Sequence, residues 1–383
     1  MRATHYGLWL ADIGGREAYE KMKARKSNAK LRGAARGKGD ARRKDYTEEN
    51  WETLLDKHGR SRKRRDLTGG EAAAGLPPDD ATDADYANAA IVISVASGRC
   101  RVFHEQKEID VMIPPELAVQ QKSVLTVGDR VRVAEEGGQW TIAQILPRRT
   151  VLARPDPLNK HLQRLIAANI DVVIHVVSVK APPLRPRLID RYLIAIERGG
   201  AQPVIVVNKI ELLEPAEREA ELAKLATYRD LGIDVIACST RTGEGLEELR
   251  AKVMGKTSAL VGHSGVGKSS ILNALDSSLQ LATKELHKRG TGRHSTTAST
   301  LYDFGDGTYL IDTPGIREFG LWDLDRESLR DYFPEFESSE LCKFNDCTHV
   351  HEPGCEVKAR VERAETNRAR YDTYVRLYND LKK

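Results

Sequence analysis

The sequence contains no hydrophobic run that approaches the roughly 18 apolar residues of a membrane-spanning helix. We expect no secretory leader, because the apolar stretch Gly7–Ala11 is too short for its apolar region and acidic Asp12 follows it directly. Its five cysteines are an odd number, and three of them crowd near the C-terminus, which argues against a disulfide framework. These absences exclude a membrane protein and a secreted disulfide-rich protein. They predict a cytoplasmic chain of two or three domains within 383 residues.

Acidic residues are almost missing from one segment of the chain. Between Lys21 and Lys44 there are eleven Lys or Arg residues and a single acid, Asp40, although the whole chain has a net charge of only +4. A second basic cluster occupies Arg60–Arg65. We interpret residues 1–85 as a mostly disordered basic extension. It could bind the phosphates of a nucleic acid, or it could be a solubilising tail without a partner.

Residues 86–150 have the pattern of a small β-barrel. Five short β-like runs with Gly-containing turns are typical of an OB-type Greek-key barrel, a fold that often binds oligonucleotides. Five basic residues could face nucleic acid, or they could simply form the polar face of the barrel: Arg99, Arg101, His104, Arg130 and Arg132.

Residues 151–325 alternate between apolar strand-like runs and helical spacing, which predicts a parallel sheet covered by helices. Within them, Gly262–Ser269 reads Gly-His-Ser-Gly-Val-Gly-Lys-Ser and fits the phosphate-binding P-loop, with a strand before it and a helix after it. Its glycines allow backbone N–H groups to surround phosphate oxygens. Lys268 is expected to reach the β- and γ-phosphates, and the Ser269 hydroxyl is expected to ligate Mg²⁺.

Further nucleotide motifs flank the P-loop in an unusual order. Asn208–Glu211 resembles the Asn-Lys-x-Asp motif that reads guanine, with Glu in place of Asp, and Cys238–Gly245 resembles the loop that closes over the base. Downstream, Gly292–Thr297 suits a Mg²⁺-sensing switch, and Asp312–Gly315 matches Asp-x-x-Gly. The base motifs therefore precede the P-loop, whereas an ordinary small GTPase places them after it. One cyclic shift relates the two orders, so we predict a circularly permuted GTPase.

The residues predicted to contact the nucleotide fall into three groups. They are Asn208, Lys209, Ile210, Glu211 and Ser239 around the base; Gly262, His263, Ser264, Gly265, Val266, Gly267, Lys268, Ser269 and Ser270 around the phosphates; and Thr296, Thr297, Asp312 and Gly315 in the switches. Thr296 or Thr297 would complete the magnesium site with Ser269.

Residues 326–383 carry a candidate metal site. Cys342, Cys347, His349 and Cys355 supply three thiolates and one imidazole, a complete tetrahedral set for a structural Zn²⁺. His351 is a possible substitute ligand. The segment from Val357 to Lys383 has helical spacing, so this region is predicted to be a zinc-binding helical module.

Together, these motifs resemble the RsgA (YjeQ or EngC) family of small ribosomal subunit biogenesis GTPases. The motifs are Gly262–Ser270, Gly292–Thr297, Asp312–Gly315 and Cys347–Cys355, and the resemblance covers about residues 86–383. It implies a monomer that binds GTP with Mg²⁺, 16S rRNA and the small ribosomal subunit, and hydrolyses GTP during late maturation of that subunit.

The resemblance also implies a catalytic role for His294. Ile316 follows the Asp-x-x-Gly motif where Ras-like enzymes place the glutamine that positions water, so we expect slow intrinsic hydrolysis. In the family, the histidine at the position of His294 supplies that function on the ribosome. Otherwise, His294 would be a solvated residue of the switch loop.

Two other functions stay open at this point. One is a non-catalytic RNA-binding assembly factor whose nucleotide only stabilises the fold, and the other is a P-loop ATPase with a chance Asn-Lys pair. Tight binding of GDP with exclusion of ATP would support the GTPase over both.

Overall fold

The computed structural model describes residues 81–115, 125–155, 163–275, 299–313, 321 and 324–381. Several predicted features lie outside the described residues: residues 1–80 of the basic extension, His294, Thr296, Thr297 and Gly315. The predicted disordered extension reaches residue 85, but the structure already forms a helix from Asp83. None of the described helices is long and apolar enough to cross a membrane.

The first described domain is a closed five-stranded barrel, as the sequence predicts. Its strands follow the order β1-β2-β3-β5-β4 and comprise β1 (Ala90–Ala96), β2 (Arg99–His104), β3 (Lys107–Met112), β4 (Arg130–Glu136) and β5 (Gln139–Ile145). Alternating residues of β2 face the inside of the barrel: Cys100 and Val102 are buried, while the preceding residue of each, Arg99 and Arg101, is exposed. A short helix, α1 (Asp83–Asn88), precedes the barrel and is capped by Thr82.

A two-stranded antiparallel sheet connects the barrel to the rest of the chain. The segment after Arg148 forms β6 (Val151–Pro155), which pairs with β7 (Gln163–Ala168). Arg148 and Asp129 form a buried ion pair at this junction, with Nε 2.6 Å from Oδ1. The connector is therefore a paired strand with a buried charge anchor rather than a free linker.

The central domain is a six-stranded sheet in the order β10-β9-β8-β11-β13-β12, in which only β12 runs antiparallel to its neighbour. The strands are β8 (Val172–Ser178), β9 (Gln202–Asn208), β10 (Asp234–Ala237), β11 (Thr257–Val261), β12 (Thr300–Asp303) and β13 (Tyr309–Asp312). Every residue of β8 and β11 is buried, as expected for strands covered on both faces. The carboxyl ends of β9, β11 and β13 consequently meet at one edge of the sheet.

Helices cover both faces of this sheet. They are α2 (Pro186–Arg198), α3 (Pro215–Ala223), α4 (Ala226–Asp230), α5 (Leu246–Val253) and α6 (Lys268–Leu275). Tyr192 of α2 packs on one face, and Leu249 of α5 and Ile271 of α6 pack on the other. Lys224 and Leu225 separate α3 from α4, and Tyr228 of α4 is fully buried.

The C-terminal module contains α7 (Arg326–Leu329), the short 3₁₀ segments Arg330–Tyr332 and Pro334–Leu341, α8 (Glu356–Glu362) and α9 (Arg368–Asp380). The sequence predicts one helix after Val357, but the structure has two. Ala364 adopts a left-handed φ of 58°, which ends α8, and the Asn367 side chain accepts the Arg370 N–H to start α9.

Candidate nucleotide pocket and metal centre

The P-loop connects the buried strand β11 to helix α6, as its motif requires. Gly262, Gly265 and Gly267 all have positive φ values, of 142°, 84° and 99°. A Cβ atom on Gly262 would lie 2.3 Å from the Val176 carbonyl oxygen, so a side chain there would collide with the neighbouring strand. The loop therefore needs its glycines both for backbone conformation and for close approach.

Lys268 and Asp312 lie at the phosphate end of the pocket. The Lys268 ammonium is buried and donates to the carbonyl oxygens of Gly262, at 2.9 Å, and His263, at 3.2 Å. Burial lowers the pKa of Lys268, and the nearby carboxylate of Asp312 opposes that shift. Burial likewise raises the pKa of Asp312, with Lys268 opposing. Lys268 and Asp312 therefore each influence the pKa of the other, near the carboxyl ends of the adjacent strands β11 and β13.

Hard oxygen ligands are available beside this pair. Ser269 is exposed at the start of α6, and Asp312 ends β13 next to β11. The following residue, Thr313, donates its hydroxyl to the Leu260 carbonyl at 2.6 Å and so ties β13 to the P-loop strand. A hydroxyl and a carboxylate suit Mg²⁺, which prefers oxygen ligands.

The base motif touches the P-loop directly. Asn208 ends β9, and its Nδ2 donates to the Val266 carbonyl oxygen at 2.9 Å. A Cβ atom on Gly267 would lie 2.3 Å from that Nδ2 atom. Lys209 adopts a left-handed φ of 66° and donates its ammonium to the Gly265 carbonyl at 2.5 Å. The base motif and the P-loop, more than fifty residues apart in sequence, are thus hydrogen-bonded directly to each other.

Two acceptor oxygens of the base motif are buried without a hydrogen-bond partner among the described residues: Oδ1 of Asn208 and Oε2 of Glu211. A buried acceptor without a donor is costly, and such groups commonly indicate a functional site or an absent ligand. Guanine presents N–H donors along one edge, so a purine base of this kind would satisfy the carboxylate.

The closing loop lies beside the base motif, because the Cys238 N–H donates to the Val207 carbonyl at 2.8 Å. The buried Ser239 hydroxyl accepts the backbone N–H groups of Arg241, at 3.2 Å, and Thr242, at 3.1 Å. These bonds shape a tight loop next to Asn208. The structure therefore brings the described base and phosphate residues together at one edge of the sheet.

One contributor to the pocket was not recognised in the sequence. The Ala181 carbonyl oxygen accepts a hydrogen bond from the Lys209 ammonium at 2.8 Å, so the loop after β8 forms part of the base region. Backbone carbonyls carry no sequence signature, and no motif marks residues 179–185.

The metal ligands predicted from the sequence form a compact buried cluster. One ligand atom from each of Cys342, Cys347, His349 and Cys355 lies within 4.8 Å of the other three. The Cys342 and Cys355 sulfurs are 3.9 Å apart, and His349 Nδ1 lies 3.7 and 3.4 Å from them. Zn–S bonds of about 2.3 Å place two sulfurs roughly 3.8 Å apart in a tetrahedron. The donor set and its spacing fit a zinc ion.

Burial favours the uncharged forms of Cys347 and His349. It raises the pKa of the Cys347 thiol to about 12, so a thiolate there needs a nearby positive charge. It lowers the pKa of His349 to about 4, which keeps the imidazole neutral, as a ligand must be. His351, the possible substitute, is exposed and is not in the cluster.

Glu352 supports the metal loop, a role that the sequence did not reveal. Its carboxylate accepts the Thr348 N–H at 3.0 Å and hydroxyl at 2.6 Å, and the N–H groups of Val350 and His351 at 3.3 and 3.2 Å. Burial opposes ionisation of this group, but these hydrogen bonds prevail and lower the pKa of Glu352 to about 2. The loop between Cys347 and Cys355 is thus folded around one carboxylate.

The basic residues of the barrel are largely engaged with the protein itself. Arg101 pairs with Glu108 and Asp110, Arg132 pairs with Asp85 of α1, and Arg130 donates to the Tyr86 carbonyl. Arg101 and Arg132 keep 51% and 52% of their side chains exposed, so these surface pairs are compatible both with a polar face and with contact to nucleic acid.

Known proteins share this arrangement. A family model described as RsgA GTPase matches residues 145–322. The chain is 40% identical over 262 residues to the small ribosomal subunit biogenesis GTPase RsgA of Gemmatimonas aurantiaca, covering 67% of this chain and 84% of that protein. The crystal structure of YjeQ from Thermotoga maritima matches with a TM-score of 0.62 at 33% identity, over 77% of this chain and 98% of that one. The crystal structure of YloQ, a circularly permuted GTPase, matches with a TM-score of 0.59 at 30% identity, over 76% of this chain and 94% of its own.

Fold and pocket define a class: a circularly permuted P-loop GTPase between a five-stranded barrel and a Cys/His module. Within that class, the chain belongs to the RsgA GTPase family. Membership confirms the resemblance seen in the sequence. It supports a GTP-hydrolysing enzyme rather than a non-catalytic RNA-binding factor or an ATPase.

Replacing Gly267 by alanine tests the contact between the base motif and the P-loop. The new Cβ would push the Asn208 side chain from the Val266 carbonyl, so we expect GDP affinity to fall by about 100-fold, or roughly 3 kcal/mol. Gly255→Ala is the matched control, since Gly255 also has a positive φ, of 65°, but a Cβ there meets no atom within 4 Å. Calorimetric titration with GDP measures both. Equal affinities in the two variants would contradict the predicted steric conflict.

A second test concerns the metal. Cys355→Ser should purify without most of its zinc, because one of four thiolate or imidazole ligands is lost. Cys100→Ser, a buried thiol in the barrel core, should keep the metal. Elemental analysis by plasma mass spectrometry decides between the outcomes, and full zinc content in Cys355→Ser would rule out the proposed ligand set.

Proposed function

We propose that this protein hydrolyses GTP during late maturation of the small ribosomal subunit, and that hydrolysis times its own release from 16S rRNA. The observation that carries the proposal is the contact of Asn208 with the P-loop, because it joins base and phosphate recognition in a permuted chain. The name of the Gemmatimonas aurantiaca relative, a small ribosomal subunit biogenesis GTPase, supports the ribosomal part.

Guanine selectivity is assigned to Glu211. Guanine N1–H and N2–H₂ are adjacent donors, and a carboxylate can accept both. The Oε2 atom of Glu211, which is buried and has no hydrogen-bond partner among the described residues, is suited to this role. The Glu211 side chain has one more methylene than aspartate, so its carboxylate lies further from the backbone than the carboxylate of the usual aspartate. Lys209 lies against the pocket through Gly265, and Ser239 shapes the loop that closes over the base.

Phosphate binding is assigned to the backbone N–H groups of residues 262–270 and to Lys268. In the structure the Lys268 ammonium donates hydrogen bonds to carbonyl oxygens of its own loop. A bound phosphate would replace these carbonyls as the acceptor. Ser269, with Thr296 or Thr297, would hold Mg²⁺, and Asp312 would contact it through water. Mg²⁺ supplies charge neutralisation at the β- and γ-phosphates.

His294 is proposed to position the attacking water, because Ile316 has no polar group for that task. The metal centre is proposed to hold one structural Zn²⁺, since four protein ligands leave no open position for catalysis. The barrel, the zinc module and the basic extension are proposed to contact rRNA. The protein is proposed to act as a monomer in the cytoplasm.

The defining experiment measures GTP turnover with and without purified small subunits. We expect turnover to rise severalfold with the subunits, and we expect the rate of His294→Ala with subunits to fall back to about the rate without them, because the proposed role of His294 is to position water on the ribosome. Ser295→Ala, next to it in the chain, should keep the stimulation. Absence of stimulation in the unaltered protein would overturn the ribosomal proposal. An unchanged stimulated rate in His294→Ala would overturn only the catalytic assignment.

A further inference from the structure

Two buried charged side chains, Asp190 and Arg370, and the partly buried Glu335 meet where the C-terminal module contacts the central domain. Asp190 of α2 is 2% exposed and Arg370 of α9 is 4% exposed. Arg370 Nη1 donates to Asp190 Oδ1 at 2.7 Å, and its Nε and Nη2 donate to the two oxygens of Glu335. The Tyr228 hydroxyl donates to the same Asp190 oxygen at 2.8 Å.

Adhesion alone does not explain this cluster. Desolvating three charges is expensive, and well-packed apolar residues stabilise such an interface equally well or better. The planar guanidinium, however, has a fixed direction, and here it joins carboxylates from two separate elements. It also lies 4.9 Å from the Phe333 ring centroid and 5.5 Å from that of Tyr228. The directional bonds of Arg370 therefore fix the orientation of the C-terminal module on the central domain, which apolar contacts alone do not fix.

The same turn of α9 holds the metal loop. The Tyr371 hydroxyl donates to the His349 carbonyl at 2.8 Å, and the Tyr374 hydroxyl donates to the Thr348 carbonyl at 2.7 Å. Arg370 is thus one residue away from a direct contact with the backbone of a metal ligand.

Helix α2 leads from the cluster to the nucleotide pocket. Tyr228 donates to the Pro186 carbonyl at 3.0 Å as well as to Asp190, so it binds the first turn of α2. The loop just before α2 contains Ala181, whose carbonyl accepts from Lys209, and Lys209 in turn donates to Gly265 of the P-loop. A continuous series of hydrogen-bonded segments therefore joins the metal loop to the pocket.

We infer that Arg370 is a positioning residue for the RNA-stimulated reaction: by holding Asp190 and Glu335 together, it fixes the metal module on the helix that begins beside the nucleotide pocket. This inference rests on the proposed function, in which RNA contact at the module stimulates hydrolysis. It adds a physical link to the covalent connection through the Asp-x-x-Gly segment.

The test compares a triple variant with a matched control, because the single substitution of Arg370 is unsuitable. Arg370→Met alone leaves two carboxylates without their partner and could unfold the interface. The triple variant Asp190→Asn, Glu335→Gln, Arg370→Met removes every charge at nearly constant volume. We expect this triple variant to keep its zinc and its basal GTP turnover but to lose most of the stimulation by small subunits. Arg368→Met is the matched control, because Arg368 lies on the same helix with 71% of its side chain exposed and pairs with Asp372.

A distance measurement separates this inference from the proposed function. Spin labels at Glu247→Cys on α5 and Glu362→Cys on α8, both exposed positions, report the orientation of the module. We expect one narrow distance distribution in the otherwise unaltered protein and a broad one in the triple variant. A narrow distribution or full stimulation in the triple variant would overturn the role of Arg370. Failure of small subunits to stimulate the unaltered protein would refute the proposed function, while the distance distributions would still decide whether Arg370 positions the module.

Discussion

The nucleotide site depends on one close approach, that of the Asn208 side chain to the Val266 carbonyl across Gly267. The contact is possible because parallel strands β9 and β11 end at the same edge of the sheet, with β8 between them. The order of these strands along the chain does not change which strand ends meet at this edge. A permuted sequence can therefore build the same pocket, provided that Gly267 leaves room for the amide.

The C-terminal module depends on a different kind of constraint. Its metal ligands organise a small apolar core, and Glu352 folds the ligand loop. The buried ion cluster at Arg370 then sets the direction in which this core faces α2. Hydrophobic burial keeps the module attached, and the charged cluster makes one orientation preferable to others. The ligand loop, helix α9 and the residues around the P-loop are thus connected by directional bonds.

Much of this could be predicted from sequence because motifs report local chemistry. The P-loop and the metal ligands have fixed spacing, and the barrel strands have simple alternation. Long-range partners have no such pattern. The division of the last helix at Ala364, the Ala181 carbonyl in the base region and the pairing of Arg370 with Asp190 arise from tertiary packing. The pairing of Arg101 and Arg132 with nearby acids likewise required coordinates.

We propose that the base motif before the P-loop reads guanine, and Glu211→Gln tests this assignment most directly. Xanthine carries an oxygen where guanine carries its N2 amino group, so a glutamine amide should accept xanthosine diphosphate and lose GDP. We expect GDP affinity to fall by about 100-fold, because hydrogen bonds to a charged group contribute about 1.5–3 kcal/mol each. Glu214→Gln, an exposed neighbour, should bind GDP normally. Competitive titration of both diphosphates supplies the measurement, and unchanged preference for GDP in Glu211→Gln would contradict the account.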